Sequence, residues 1–299
     1  MKKIILLMMF FCSIAANADV IAGKNMFLGK EYIVRLSNGD LLSGKLTEFI
    51  ESDERGEGIR LKTMLGEAVI YESEIKNILT YEENFRHDHR VFIMPTAEPI
   101  GNNHFIGAFD LLFFYGGFGI TDYFSATIGR TTVPGLYEGQ QGFMMNLKST
   151  VYQQYWESMY GKFSLAVGYN LAFLNDDNRF THLYLASTFR LRRTGFTMDV
   201  YYKSGSKDYY ELSIQDEFHP FVYEDGTFGL GLGVDTKFSD RHGLYFISEL
   251  WITDVYDPGQ SAATAGLRVA NSAFAADFGL ALFPSPGIMP YMSFVWTPF

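Results

Sequence analysis

The sequence predicts an all-β chain in which a small five-stranded domain precedes a closed antiparallel transmembrane β-barrel of about twelve strands. Three observations carry this. Aromatic residues make up 17% of the 299 residues, with 28 Phe beside 29 Gly, a composition that suits a lipid-facing barrel. No stretch reaches the length of a helical membrane span; the nearest, "FIGAFDLLFFYGGFGI", is broken by Asp110 and four glycines. Beyond residue 85 the chain runs in long alternating segments, each oily on one face and small or charged on the other.

The first residues, "MKKIILLMMFFCSIAANADV", combine Lys2 and Lys3, an apolar run from Ile4 to Phe11 and the triplet Ala16-Asn17-Ala18. That is the pattern of a secretory signal peptide over residues 1–18, cleaved before Asp19. Cys12 is the only cysteine and leaves with it, which excludes disulfides and thiolate metal sites. Bulky neighbours argue against lipid attachment at Cys12. Loss of Lys2 and Lys3 takes the formal charge from −10 to −12. So acidic a chain is a poor nucleic-acid binder, because phosphate contacts need clustered Lys and Arg.

Residues 19–84 read as the small β-domain. "EYIVRLSNGDLLSGKLTEF" alternates Tyr32, Val34 and Leu36 with polar residues, turns at Asn38-Gly39 and resumes at Leu41. Asn-Gly between alternating runs is a strong hairpin signal. "GIRLKTMLGEAVIY" repeats the design around Gly66, and "ESEIKNILTY" closes it.

Residues 85–299 read as the barrel, with strands near 90–98, 105–115, 122–133, 143–153, 160–173, 181–192, 195–204, 226–238, 243–254, 262–270, 273–283 and 288–299. In "FTMDVYYK", Phe196, Met198, Val200 and Tyr202 share one face, and Thr197, Asp199, Tyr201 and Lys203 the other. Such lengths exceed the five or six residues usual in globular sheets and match a tilted bilayer crossing. Alternate connections are mostly short ("QYWESM", "RT", "SDRH", "ANS"), while the others include "TVPGLYEGQQG" and "DVYDPGQSA". Short turns at one end and long loops at the other match a barrel with its turns in the periplasm and its loops outside. An even strand count returns the C-terminus to the periplasm.

Inward alternation places Asp110, Arg130, Lys148, Arg190, Arg192, Asp199, Lys203, Asp235, Lys237, Glu249, Arg268 and Asp277 in the lumen, with Arg190 and Arg192 beside Asp199, Lys237 near Glu249 and Arg268 near Asp277. Two readings stand side by side: a polar pore, or a network that only satisfies charge within a narrow barrel. Twelve tilted strands give a backbone diameter of roughly 25 Å and a lumen of about 12 Å. The loop from Ser204 to Gly226 is expected to narrow it.

Other motifs are weaker. The glycines of "GLGLGVD" recur every second residue on one strand face, unlike a phosphate loop. "FRHDHR" offers His87, Asp88 and His89, read as a polar hinge at the membrane edge in preference to a metal site. No segment carries a catalytic triad signature, so neither enzyme activity, nor a metal, nor a cofactor is expected.

"VRLSNGDLLSGKL" resembles the strand-turn-strand opening of Sm-like and SH3-like domains. "VFIMPTAEPIG" and "FFYGGFGITDYFSATIGR" resemble stretches of uncharacterised bacterial outer-membrane β-barrel proteins that carry such a domain. The final strand, ending on Phe299, resembles the signal read by the barrel assembly machinery. These resemblances imply the outer membrane of a Gram-negative cell, the N-terminal domain in the periplasm, and three partners: outer-membrane lipid, the assembly machinery and a periplasmic protein that docks on the domain. The expected function is porin-like passive diffusion of small polar solutes. The alternative is a non-conducting structural or surface-interaction barrel whose outer loops bind a partner.

Overall fold

A computed structural model of the chain describes residue 21 and residues 26–80, 87–102, 104–110, 113–132, 141–156, 161–174, 178–191, 193–205, 209–214, 217–222, 225–239, 243–271, 273–283 and 287–297. The predicted signal peptide and Phe299 lie outside them. The chain divides into two compact units, Met1–Asn84 and Phe85–Phe299.

The first unit is one antiparallel sheet of β1 (Glu31–Leu36), β2 (Leu41–Ser52), β3 (Gly56–Thr63), β4 (Gly66–Tyr71) and β5 (Ile75–Thr80), in the order β4-β3-β2-β1-β5. Gly39, at φ +95°, takes the left-handed conformation of the first turn, and Asn38 Oδ1 accepts the Asp40 N–H at 2.9 Å. Alternation sends Tyr32, Val34, Leu46, Ile59, Leu61, Ile70, Ile75 and Ile78 to one buried core. A register shift between Leu46 and Glu48 marks a bulge in the long β2.

The second unit is a closed barrel of twelve antiparallel strands: β6 (Phe105–Asp110), β7 (Phe113–Gly119), β8 (Phe124–Thr131), β9 (Phe143–Trp156), β10 (Gly161–Leu174), β11 (Asn178–Arg190), β12 (Thr194–Gly205), β15 (Phe228–Ser239), β16 (Leu244–Ile252), β17 (Ala262–Ala270), β18 (Phe274–Leu282) and β19 (Ile288–Trp296). β13 (Tyr209–Ile214) and β14 (Glu217–Val222) pair with each other in the β12–β15 connection. Pairing of Ser293–Trp296 with Asp110–Gly107 closes the seam.

The predicted strand count holds, but two of its members change. The segment expected as a wall strand at 90–98 is not in the wall. The single strand expected at 105–115 is two, β6 and β7, paired from Phe105–Phe118 to Asp110–Phe113. β6 starts at the mouth where β19 ends. The connections from β7 to β8, β9 to β10, β11 to β12, β15 to β16 and β17 to β18, each of three or four residues, join strand ends at that mouth. At the other mouth those from β8 to β9, β12 to β15 and β16 to β17 are longer, while those from β6 to β7, β10 to β11 and β18 to β19 have five residues or fewer.

The outward face is oily: Phe196, Met198, Val200 and Tyr202 are 39–51% exposed, whereas Thr197, Asp199, Tyr201 and Lys203 on the same strand are at most 6% exposed. Met198 sits near the middle of β12, so Met198→Arg should destabilise the folded barrel in vesicles by about 2–4 kcal/mol. Urea titration measures this, and a change below about 0.5 kcal/mol would mean that this face meets water.

Candidate functional site

Period-two geometry fixes which side chains point inward. Lys148, Arg190, Asp199, Lys203, Asp235, Lys237, Glu249, Arg268 and Asp277 are all buried inside the barrel, and Asp110 joins them at the end of β6, with its side chain 10% exposed. Arg130 is a correction. It shares the exposed face with Ile128 and stands opposite Phe114 and Phe143, while its neighbour Gly129 is buried. Near the end of β8 a long guanidinium can reach the polar rim from the lipid side. Arg192 lies outside the described residues.

Charges on an open lumen wall would be wet, yet Asp277 is fully buried and Glu249 is 2% exposed. Residues 87–100 fill the space. They form a hairpin inside the barrel, bridged at Arg90 and Pro95, with Val91, Phe92, Met94, Thr96 and Ala97 fully buried. Pro95 has no N–H to give a ladder, which disfavours the expected wall strand, and the N–H groups on either side of it are taken by Glu249 and by the hairpin's own His89 carbonyl.

The hairpin's N–H groups from Val91 to Ile100 are all satisfied. Val91 and Thr96 donate within the hairpin, to Met94 and His89 carbonyls at 2.9 and 3.1 Å. Phe92, Ile93 and Met94 donate together to Glu249 Oε1 at 2.5, 2.8 and 2.8 Å. Ala97 donates to Thr188, Glu98 to Thr96 and Ile100 to Ser125. The other Glu249 oxygen accepts Trp251 Nε1 at 3.0 Å, so four N–H donors surround this carboxylate. Lys148 is the converse: its three ammonium protons go to the carbonyls of Thr96 at 2.7 Å, Glu98 at 2.6 Å and His89 at 3.3 Å. Hydrogen bonds to charged groups are worth about 1.5–3 kcal/mol each, so either clamp is a substantial hold.

Ion pairs complete the grip. Arg90 Nη1 donates to both Asp110 oxygens, at 2.7 and 2.8 Å, and its Nη2 donates to Ser293. Asp88 faces Arg190 at 3.1 Å, and Glu98 takes Lys162 and Ser164. Arg268 donates to both Asp277 oxygens, at 2.7 and 2.9 Å, and to the Val91 carbonyl.

Two inward glycines, Gly231 and Gly233, are cut-outs for the hairpin tip. A Cβ on Gly231 would lie 2.7 Å from Met94 Sδ, and one on Gly233 2.9 Å from Val91 Cγ2. Gly266 and Gly279 serve the wall first: a Cβ on them would collide with the Phe278 and Ala265 carbonyls, respectively, of the paired strand, with Phe92 Cζ further off at 2.8 and 3.0 Å. The second and third glycines of "GLGLGVD" thus admit the hairpin, and the first, Gly229, admits the Tyr201 ring of β12.

Of the predicted pairs, Arg268–Asp277 forms. Arg190 instead bridges to Asp235 at 2.8 Å, because Gly195 stands between them on β12, and a Cβ there would lie 2.8 Å from Arg190 Nη1. Glu249 takes the hairpin rather than Lys237, whose Nζ lies over the Tyr245 ring at 5.4 Å. The expected hinge at His87, Asp88 and His89 is part of the buried hairpin. His87 Nε2 meets the Asn271 carbonyl at 2.7 Å while Asp88 turns to Arg190. Among the described residues no three His, Cys, Asp or Glu side chains converge as metal ligands. The expected constriction by the Ser204–Gly226 loop involves side chains of residues 206–224, which lie outside the described ones.

No family model matches the sequence, and no curated protein matches it. Among solved structures, the chain is similar to a KdgM porin in complex with disordered oligogalacturonate, at 8% identity and a TM-score of 0.43, over 64% of this chain and 96% of that one. It is similar to the NanC porin at 8% identity and a TM-score of 0.38, over 65% and 97%. A third similar structure is Pseudomonas aeruginosa OprD, at 11% identity and a TM-score of 0.34, over 89% and 92%. The wall's own pairing, not these likenesses, defines the barrel.

Proposed function

We propose that the chain is an outer-membrane transport barrel of the porin-like kind, which carries small polar solutes between the cell exterior and the periplasm. One observation supports this above the rest: a closed wall has an oily exterior and an interior lined with Lys, Arg, Asp and Glu, which becomes a polar path across an apolar layer when residues 87–100 leave it. In this reading the mouth of short turns and the N-terminal domain, taken as SH3-like, face the periplasm. Lipid surrounds the wall, the assembly machinery reads the last strand, and a periplasmic protein docks on the domain. Catalysis plays no part.

The buried hairpin favours a second reading, a barrel that conducts nothing and serves as scaffold or surface receptor. Liposome swelling separates the two. Reconstituted protein is expected to let small sugars or amino acids enter slowly, and faster once the hairpin is removed. Vesicles that stay tight with a folded, hairpin-free barrel would establish the second reading.

A further inference from the structure

We propose that residues 87–100 are a gate, latched in the lumen by Glu249 and Lys148, which opens by withdrawing through the mouth by which it entered. The proposal rests on the transport reading and names its regulation.

Both legs of the hairpin lie at one mouth. His87 is bonded at Asn271, in the turn between β17 and β18, and Ile100 at Ser125, at the start of β8. A hairpin so placed can leave without threading its chain through the barrel. Its grip also suits release. Among the described residues its backbone-to-backbone bonds are internal, Val91 to Met94 and Thr96 to His89. Wall side chains hold the rest, so opening needs no strand to unzip. Two of those side chains concentrate the hold: Glu249 on the N–H groups of the tip and Lys148 on the carbonyls of both legs.

The legs are anchored unequally. The outgoing leg is pinned at Gly101, which has φ +91° and packs so closely on Gly119 that a Cβ there would collide with the Gly101 carbonyl. Asn102 bridges Gly119, whose N–H reaches the His104 carbonyl at 3.0 Å. The ingoing leg has a different continuation: residues 81–86 alone separate it from β5 of the N-terminal domain. Six residues reach no more than about 20 Å when fully extended. A pull on that domain beyond this slack falls on the ingoing leg, with Gly101 as the pivot.

The test uses the full chain in planar bilayers, with heat-modifiable gel mobility to show that each barrel is folded. Glu249→Leu combined with Lys148→Met should raise open probability about tenfold or more over the unaltered protein. In the same background Met94→Cys, protected in the unaltered barrel, should become open to a membrane-impermeant maleimide. A lock gives the converse. A Cβ on Gly233 lies 3.5 Å from the Val91 Cβ, within disulfide range, and Cys12 is the sequence's only cysteine. With Cys12→Ser, a Val91→Cys/Gly233→Cys pair in the unlatched background should be silent when oxidised and conduct when reduced. Unchanged current and a protected Met94→Cys, in a protein that does conduct once residues 90–97 are replaced, would overturn the latch and leave transport standing. A labelled hairpin over a barrel that stays silent even after that replacement would overturn both, since nothing would then be gated. An oxidised lock that still conducts would also overturn the gate.

Discussion

A barrel in which residues 90–97 are replaced by a glycine–serine linker of equal length is expected to conduct at least an order of magnitude more than the unaltered protein. The replacement removes the Arg90 guanidinium and the apolar side chains Val91, Phe92 and Met94 that pack the segment into the lumen. It leaves a flexible backbone with nothing but its own N–H and C=O groups to seat against Glu249 and Lys148, while the wall keeps every hydrogen bond of its ladder. The inward glycines at 231 and 233 then lose the Met94 and Val91 side chains that fill the space beside them, and the buried charges of β9, β11, β16 and β17 become wet. The lumen that remains is about 12 Å wide, ample for ions and small sugars. Single-channel recording and swelling by a sugar series would give the width independently. Conductance unchanged in a correctly folded variant would mean that another segment blocks the path, and residues 204–226 would be the next to remove.

The alternating grammar of the wall was legible because a strand's side chains have a period of two and the two faces meet different solvents. Thus "FTMDVYYK" and "FAADFGLALF" sorted correctly into oily and small or charged faces. The same grammar misassigned 90–98. An apolar run packs equally well against lipid or into a lumen, and Val91, Phe92 and Met94 do the second. Pro95 in the middle of the run was one available signal, since a central strand position gives its N–H to the ladder, whereas the wall's own Pro290 stands near the start of β19. A row of inward glycines two residues apart was a second signal, because it leaves a trough that some other part of the chain can fill. In the run "FIGAFDLLFFYGGFG" only Asp110 marks the break between β6 and β7, with no Gly, Pro or Asn beside it, so two strands read as one.

Charge partners were less legible than charge positions. Facing inward depends on one strand, but meeting a partner depends on register across several. Arg190 was expected beside Asp199. The ladder sets Arg190 opposite Gly195 and Asp199 opposite Ala186, which brings Asp235 to the guanidinium across the glycine. Glu249 was expected to need a cation and instead takes four N–H donors. Nothing in its local sequence shows that, because three of the donors come from a segment more than 150 residues away.

Asp277→Ala should cost about 3–5 kcal/mol of barrel stability, the largest loss expected from any single charge removed here. Asp277 has no solvent access. It accepts two bonds from Arg268 and one from Ser293, and lies 3.6 Å from Arg90. Without it Arg268 keeps only the Val91 carbonyl among these partners, and two guanidiniums share one dry region with Asp110. Urea unfolding in detergent micelles would measure the loss. Arg268→Met should be costly too, whereas the double variant Arg268→Met/Asp277→Leu should recover much of it, because removing both charges leaves neither buried alone. The hairpin makes this a test of the lumen as well. With residues 90–97 replaced and water admitted, the same Asp277→Ala change should cost about 1 kcal/mol or less, the scale of a hydrated ion pair. Equal losses with and without the hairpin would show that β17 and β18 are dry for a reason other than the segment between them.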